Sequence, residues 1–304
     1  MSRPLRFGVQ LTGHTLSDPV ADARRAEELG FDVVLVSDHV GPGRAPMATL
    51  AAIAQATTSI RLGTLVLNND MRNPVQLAWE AVTIDRLSNG RFELGLGAGH
   101  TPQEYAATGM ALDSPAVRKQ RLIESVRIVR RLVDGATVDF DGSHYTLAGA
   151  QVDRSVQDHL PILVGGNGEQ LLATAGDLAD IIGLQGLGRT REDGHRHAAR
   201  WTVDHLDDQL AQVRAGAGSR ADDLEFNALV QVFEVTDDRD AALGRIRRRV
   251  EGLTLDDARS IPYLMVGSID EIVDHVHDCA DRWGITYFVV RELEEFAPVL
   301  DALR

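Results

Sequence analysis

Residues 61–100 read RLGTLVLNNDMRNPVQLAWEAVTIDRLSNGRFELGLGAGH, and this stretch decides the fold. Arg61–Leu67 is apolar and β-branched enough for a buried strand. Asn68-Asn69-Asp70 stops it. Pro74 suits the first turn of a helix, where its missing N–H is not needed. Val75, Ala78 and Val82 recur at helical spacing and give that helix an inward face. Asn89-Gly90 ends it, because both residues tolerate the left-handed conformation of a helix stop. Arg91–Gly95 then runs into a second apolar strand. Consecutive strands joined by a helix lie parallel. The stretch is therefore a βαβ unit, and its polar loops, 68–73 and 97–104, leave the carboxyl ends of their strands. In parallel α/β folds, ligands sit at that end.

The same alternation extends in both directions. Further strands are expected at Leu5–Leu11, Asp32–Ser37, Pro161–Val164, Asp180–Leu184, Phe226–Val235 and Ile285–Val290. Helices are expected from Asp18-Pro19 to Gly30, over Met47–Thr57, Pro115–Val133, Trp201–Val213, Asp240–Val250, Ile269–Trp283 and Phe296–Leu303. Another is expected over Glu169–Ala175, stopped by Gly176. A hairpin is signalled around Asp141-Gly142. The segment from Gln185 to Arg200 lacks apolar periodicity and reads as an exposed excursion. Helix, glycine and apolar strand recur as one joint at Gly30, Gly90 and Gly284, with Gly176 counted as a fourth. Eight strands, most followed by a helix, predict one α/β domain over residues 1–304, a (β/α)8 barrel of the TIM type with loop insertions. An open doubly wound sheet would place its phosphate loop after the first strand, and Leu11-Thr12-Gly13-His14 is not such a loop.

Composition narrows the partners. The 304 residues carry a formal net charge of -14. A chain this acidic is unsuited to nucleic acid or an anionic membrane surface, both being polyanions. Cys279 is the only cysteine, which leaves no disulfide framework and no cysteine-based metal site. The amino terminus, MSRPLRFGVQL, has no signal-peptide core and enters a strand at once, so a cytoplasmic location is expected. Lys119 is the only lysine. Coding bias accounts for that as readily as function does.

Several groups at the expected barrel mouth carry chemistry. Gly165-Gly166-Asn167-Gly168, between a strand and a helix, suits a phosphate, because bare backbone amides and a helix N-terminus converge there. It also suits a plain tight turn. Gly95–Gly99 means that something approaches the backbone closely, either a planar cofactor or a neighbouring loop. Asp38-His39 ends a strand, and the imidazole titrates near neutrality. A capping aspartate and a solvated histidine fit the same position equally well. His100, Gln103 and Glu104 lie just past the glycine run and can exchange protons with a substrate. Arg189, Arg191, Arg196 and Arg200 make the excursion locally basic. That pattern fits an anionic cofactor tail, or a solvated loop, since Glu192 and Asp193 are interleaved. His195, His197 and His205 lack metal-ligand spacing, and no metal is expected.

Taken together, these motifs resemble the luciferase-like monooxygenase superfamily, in particular its F420-dependent oxidoreductase branch. The resemblance is carried by AEELGFDVVLVSDH, by residues 61–99, by Glu104-Tyr105 and the following helix, by PILVGGNG and by GITYFVV. It implies a cofactor lying across the carboxyl ends of the strands, coenzyme F420 with FMN as the alternative. It also implies a non-prolyl cis peptide at Leu65–Val66 whose bulge backs the ring, with Asp38 and His39 near the reactive edge. Asn68 then falls beside the bulge, Gly97, Gly99 and His100 beside the ring, and Gly165, Gly166, Asn167 and Gly168 at the phosphate. The catalytic candidates are His39, His100 and Asp38. Many relatives carry tryptophan where this chain has His100, and FMN-using luciferases place arginine where it has Ala98. The implied function is hydride transfer between F420 and a small enone, imine or alcohol. The alternatives are an FMNH2-dependent monooxygenase served by a separate reductase and a non-catalytic flavin-binding barrel. A homodimer is the implied assembly.

Overall fold

Eight parallel strands pair edge to edge until the last meets the first. The computed structural model describes residues 3–11, 18–41, 43–190 and 197–304. The strands are β1 (Arg6–Leu11), β2 (Val33–Val36), β3 (Arg61–Thr64, resumed at Leu67–Asn68), β4 (Phe92–Gly97), β5 (Ile162–Gly165), β6 (Ile181–Leu184), β7 (Glu225–Leu229) and β8 (Ile285–Val290). Each pairs in parallel with the next, and β8 pairs with β1, so the sheet closes into a (β/α)8 barrel. The helices between strands are cut at the residues that suit their ends. Asp18 accepts hydrogen bonds from the amides of Val20 and Ala21 to start Pro19–Leu29, and Gly30 closes that helix in the left-handed region.

The barrel interior is packed by Val33, Leu35, Leu65, Leu163, Ile181, Leu229, Tyr287 and Val289. Its amino end is closed by charge. Arg6 pairs with Glu93 and Glu225, Arg61 Nε reaches Glu93 Oε1 at 2.6 Å, and the Arg6 guanidinium lies 4.4 Å above the Tyr287 ring. The open space lies at the other end.

β3 is interrupted, which corrects the continuous strand expected over Arg61–Leu67. Gly63 faces Glu93 but Leu67 faces Leu96, so β3 spends one residue more than β4 over the same span. The Leu65–Val66 peptide within this bulge is cis. Side chains replace the missing ladder bonds. Thr64 Oγ1 donates to Gly95 O at 2.8 Å and accepts from Gly95 N at 2.8 Å, while Gln10 Nε2 donates to Leu65 O at 2.7 Å. A Cβ on Gly95 would fall 1.9 Å from the Thr64 carbonyl oxygen. The close approach that Gly95 permits therefore comes from the adjacent strand, not from a ligand.

Other expectations are corrected by long-range packing. The fourth strand runs on to Gly97, two residues past the expected Gly95. Gly176 does not stop a helix, since Glu169–Leu178 continues through it. A Cβ there would lie 2.3 Å from Val213 O of the helix Val203–Ala217, so this glycine lets two helices touch. Phe226–Val235 is two strands. After β7 the chain turns, Gln231 N donates to Tyr263 O at 2.8 Å, and Val232–Val235 pairs in parallel with Leu264–Gly267 outside the barrel. Of the excursion, Leu187–Thr190 and His197–Ala199 form an antiparallel pair. Thr12, Gly13, His14, Arg191, His195 and Arg196 lie outside the described residues. No helix among the described residues is long and apolar enough to cross a membrane.

Candidate active site at the carboxyl end of the barrel

A cavity of about 1360 Å³ opens at the carboxyl ends of the strands. Its wall includes Asp38 and His39 after β2, Leu65, Val66 and Asn68 of β3, Gly97, Gly99 and His100 at the end of β4, and Gly165, Gly166, Asn167 and Gly168 at the end of β5. The residues that the resemblance places around the cofactor therefore line one space, although four separate strands carry them, and Glu104 lines it too, whereas Gln103 is not part of the wall.

The bulge sets the shape of the floor. A Cβ on Gly97 would meet Val66 Cγ2 at 2.7 Å, and one on Gly165 would meet Val66 Cγ1 at 3.2 Å. The strands on one side thus give up their side chains to Val66, which stands as an apolar platform. Beside it, Asn68 is buried and its Nδ2 has no hydrogen-bond partner among the described residues. A buried amide donor left unpaired is costly, and the residue that carries it is one of those lining the cavity.

Asp38 is buried, and its Oδ2 accepts from Asn68 N at 2.8 Å and from Arg72 Nη1 at 2.5 Å. Arg72 Nη1 also donates to Asn68 O at 3.0 Å. The carboxylate thereby holds the resumed strand of β3 in place. Under that strand, Asp70 is paired with Arg121 Nη1 at 2.9 Å and accepts from Tyr105 OH at 3.0 Å. Burial first, and the Asp70 charge second, push the Tyr105 phenol up to about 12.

His39 stands half-exposed at the rim. Its Nδ1 lies 2.7 Å from Oε1 of the buried Glu104, and its ring meets that of His100 edge-on at 6.1 Å between centroids. The hydrogen bond to Glu104 raises the His39 pKa, burial opposes it, and the charges of Glu104 and Asp38 add to the rise. With Nδ1–H given to the carboxylate, Nε2 is the nitrogen left for a substrate. Asn167 is engaged through its side chain. Its Nδ2 donates to Leu187 O and its Oδ1 accepts from Gln209 Nε2 at 2.8 Å. Among the described residues, no group of three or more His, Cys, Asp or Glu side chains could hold a metal ion.

The family model for luciferase-like monooxygenases matches residues 4–286. The chain belongs to that family. This luciferase-like protein is 31% identical over 291 residues to an F420-dependent glucose-6-phosphate dehydrogenase of Nocardia farcinica, covering 91% of this chain and 82% of that one. It is 36% identical over 171 residues to the enzyme of the same name from Amycolatopsis mediterranei, covering 54% of this chain and 51% of that one. That second match spans about half of the relative's length. Among solved structures, it superposes on an F420-dependent secondary alcohol dehydrogenase in complex with an F420-acetone adduct with a TM-score of 0.78 at 21% identity, covering 99% and 100% of the two chains. At that identity the likeness concerns the fold.

Some cavity residues of this luciferase-like protein escape a motif-based reading. Arg118, Lys119, Gln10 and Arg291 all line the space. A signal for the first existed. Arg118 stands four residues before Leu122, on the inward stripe that continues through Val126 and Val129, so the helix's first turn carries that face to the barrel mouth. Its guanidinium donates to the carbonyls of Ala98 and Gly99, and its Nε donates to Asp113 O at 3.0 Å. It thereby anchors the loop after β4. Of the four arginines of the excursion, Arg200 lines the cavity.

Proposed function

We propose that the protein is an F420-dependent oxidoreductase that passes a hydride between F420 and a small organic substrate of the enone, imine or alcohol type. The His39–Glu104 pair, set at the rim of a cavity floored by Val66, carries this reading. The relatives named above support the cofactor assignment.

Val66 and the glycines at 97 and 165 would back the ring. Asn68 would stand beside its edge, and the amides of Gly166–Gly168 would take the phosphate. When bound, F420 supplies the hydride equivalent, and the redox chemistry is its own. The protein's part is orientation, exclusion of water and proton management. His39 Nε2 gives a proton to the substrate oxygen or nitrogen as that atom gains charge, and takes it back in the reverse direction. Glu104 fixes the ring through Nδ1 and favours the protonated imidazole. Asp38, tied to Arg72 and Asn68, positions the bulge and is not a proton donor in this scheme.

Fluorescence titration tests the reading. F420 is expected to bind with quenching at micromolar concentrations. Absence of quenching at tens of micromolar, together with clear binding of FMN, would overturn it in favour of a flavin-dependent monooxygenase.

A further inference from the structure

The chain's only lysine stands against the glycine run. Lys119 lies on the second turn of the helix Pro115–Val133 and lines the same cavity as Gly166, Asn167 and Gly168. Gly168 is in the left-handed region at φ +99, and a Cβ placed on it would fall 2.5 Å from Lys119 Nζ. The ammonium thus rests over the residue that caps the helix Glu169–Leu178, where free backbone amides collect.

The electrostatics leave that charge unanswered. The neighbouring Arg118 is used up on backbone carbonyls. No hydrogen bond or ion pair joins the Lys119 ammonium to another described residue. Burial lowers its pKa from the ordinary lysine value, and the Arg118 charge lowers it further. A cation, a set of bare amides and a wide cavity meet at one point, which suits a phosphate oxygen better than a carbonyl or a hydroxyl.

We propose that Lys119 completes a phosphate clamp with the amides of Gly166–Gly168, and so makes the site select the phosphorylated cofactor over the same deazaflavin riboside without its phosphate tail. This rests on the F420 reading and adds a residue to it. Amides contribute fixed partial charges, whereas the ammonium contributes a whole one that the protein does not neutralise among its described residues.

The test compares two ligands on three proteins: F420 and the tail-less riboside, titrated by fluorescence into the wild type, Lys119→Met and Lys119→Arg. Loss of one charge-assisted contact is expected to weaken F420 about tenfold in Lys119→Met while leaving the riboside unchanged. Lys119→Arg is expected to keep most of the F420 affinity. A Lys119→Met protein that binds F420 like the wild type overturns the proposal, as does one that loses both ligands equally. A wild type that binds riboside and F420 equally well rejects the clamp but leaves the F420 reading standing. A wild type that binds neither rejects both. A measurement on the unmodified chain gives an independent readout. Acetylation of this single lysine, followed by mass spectrometry, is expected to slow in the presence of F420 and not of the riboside, and equal rates would reject the clamp.

Discussion

His39 Nδ1 and Glu104 Oε1 lie 2.7 Å apart, one side chain half-exposed and the other buried. The pair joins the loop after β2 to the helix Pro102–Thr108. A buried carboxylate beside a rim imidazole favours the imidazolium, and the His39 pKa is raised accordingly.

The pH dependence follows in sign. If His39 donates the proton, activity is present while the ring is protonated and falls as pH rises through its raised pKa. Glu104→Gln removes the charge and most of the rise. The alkaline limb of the kcat/KM profile is therefore expected to move to lower pH. His39→Ala is expected to cut kcat by about a hundredfold or more with a much smaller change in F420 affinity. An alkaline limb that stays in place in Glu104→Gln assigns the proton to another group.

Asp38 is expected to act on binding, and its substitution separates that role from proton transfer. Asp38→Asn keeps the shape but uncouples Arg72, and one acceptor of the Asn68 amide is weakened. Cofactor affinity is expected to fall about tenfold, with a stability loss of about 2 kcal/mol for a broken, mostly buried pair. Fluorescence titration and urea denaturation read the two effects. A profile in which kcat collapses while Kd is unchanged would return Asp38 to the chemistry.

Acid sensitivity is expected from a residue far from the mouth. His275 is almost fully buried on the helix Ile269–Trp283, its Nε2 donating to Ile261 O at 3.0 Å. Burial pulls its pKa down to about 4. The unfolded chain takes up this proton near pH 6.5 and the folded one only near 4, so the unfolded state binds more protons in between. Stability contributed by the neutral ring is present above about pH 6.5 and is lost as pH falls towards 4, by about 3 kcal/mol in all. Thermal melts at pH 7.5 and 5.0 are expected to diverge in the wild type and to converge in His275→Gln, once the latter's lower baseline is subtracted.

The fold was legible because its signals are local. Asp18 and Gly30, and Gly284 after Ile269–Trp283, mark helix ends with a side chain and glycines that act within a few residues. The mouth residues were legible for a related reason, since each follows directly on an apolar strand. What escaped depends on contacts distant in sequence. Nothing within Phe226–Val235 announces that Gln231 N will donate to Tyr263 O and turn the chain out of the barrel. Lys119 is a surface residue until the glycine run, some fifty residues on, is folded against it. The ion pair of Asp38 escaped for the same reason, because Arg72 reaches it from the loop after β3.

The last expectation concerns the bulge from the side of its neighbour. Gly95 sits inside β4, where a strand ordinarily prefers a β-branched residue over glycine. By intrinsic preference alone, Gly95→Ala and Gly95→Val would each stabilise. Yet a Cβ there would fall 1.9 Å from Thr64 O, and Thr64 is fixed by two hydrogen bonds to residue 95 itself. The strands cannot separate without giving up those bonds and the register that resumes at Leu67 and Leu96. Gly95→Ala is therefore expected to cost about 3 kcal/mol or more, in the range of core overpacking with lost buried hydrogen bonds. F420 affinity should fall with it, because Val66 would no longer be held beside Gly97. Gly109→Ala is the control. Gly109 is also in the left-handed region, at φ +72, but a Cβ there meets nothing within 4 Å, so its cost should be limited to backbone conformation, about 1 kcal/mol. Denaturant midpoints for the two variants decide the matter. Equal shifts would mean that the pairing of Thr64 with Gly95 does not hold the bulge.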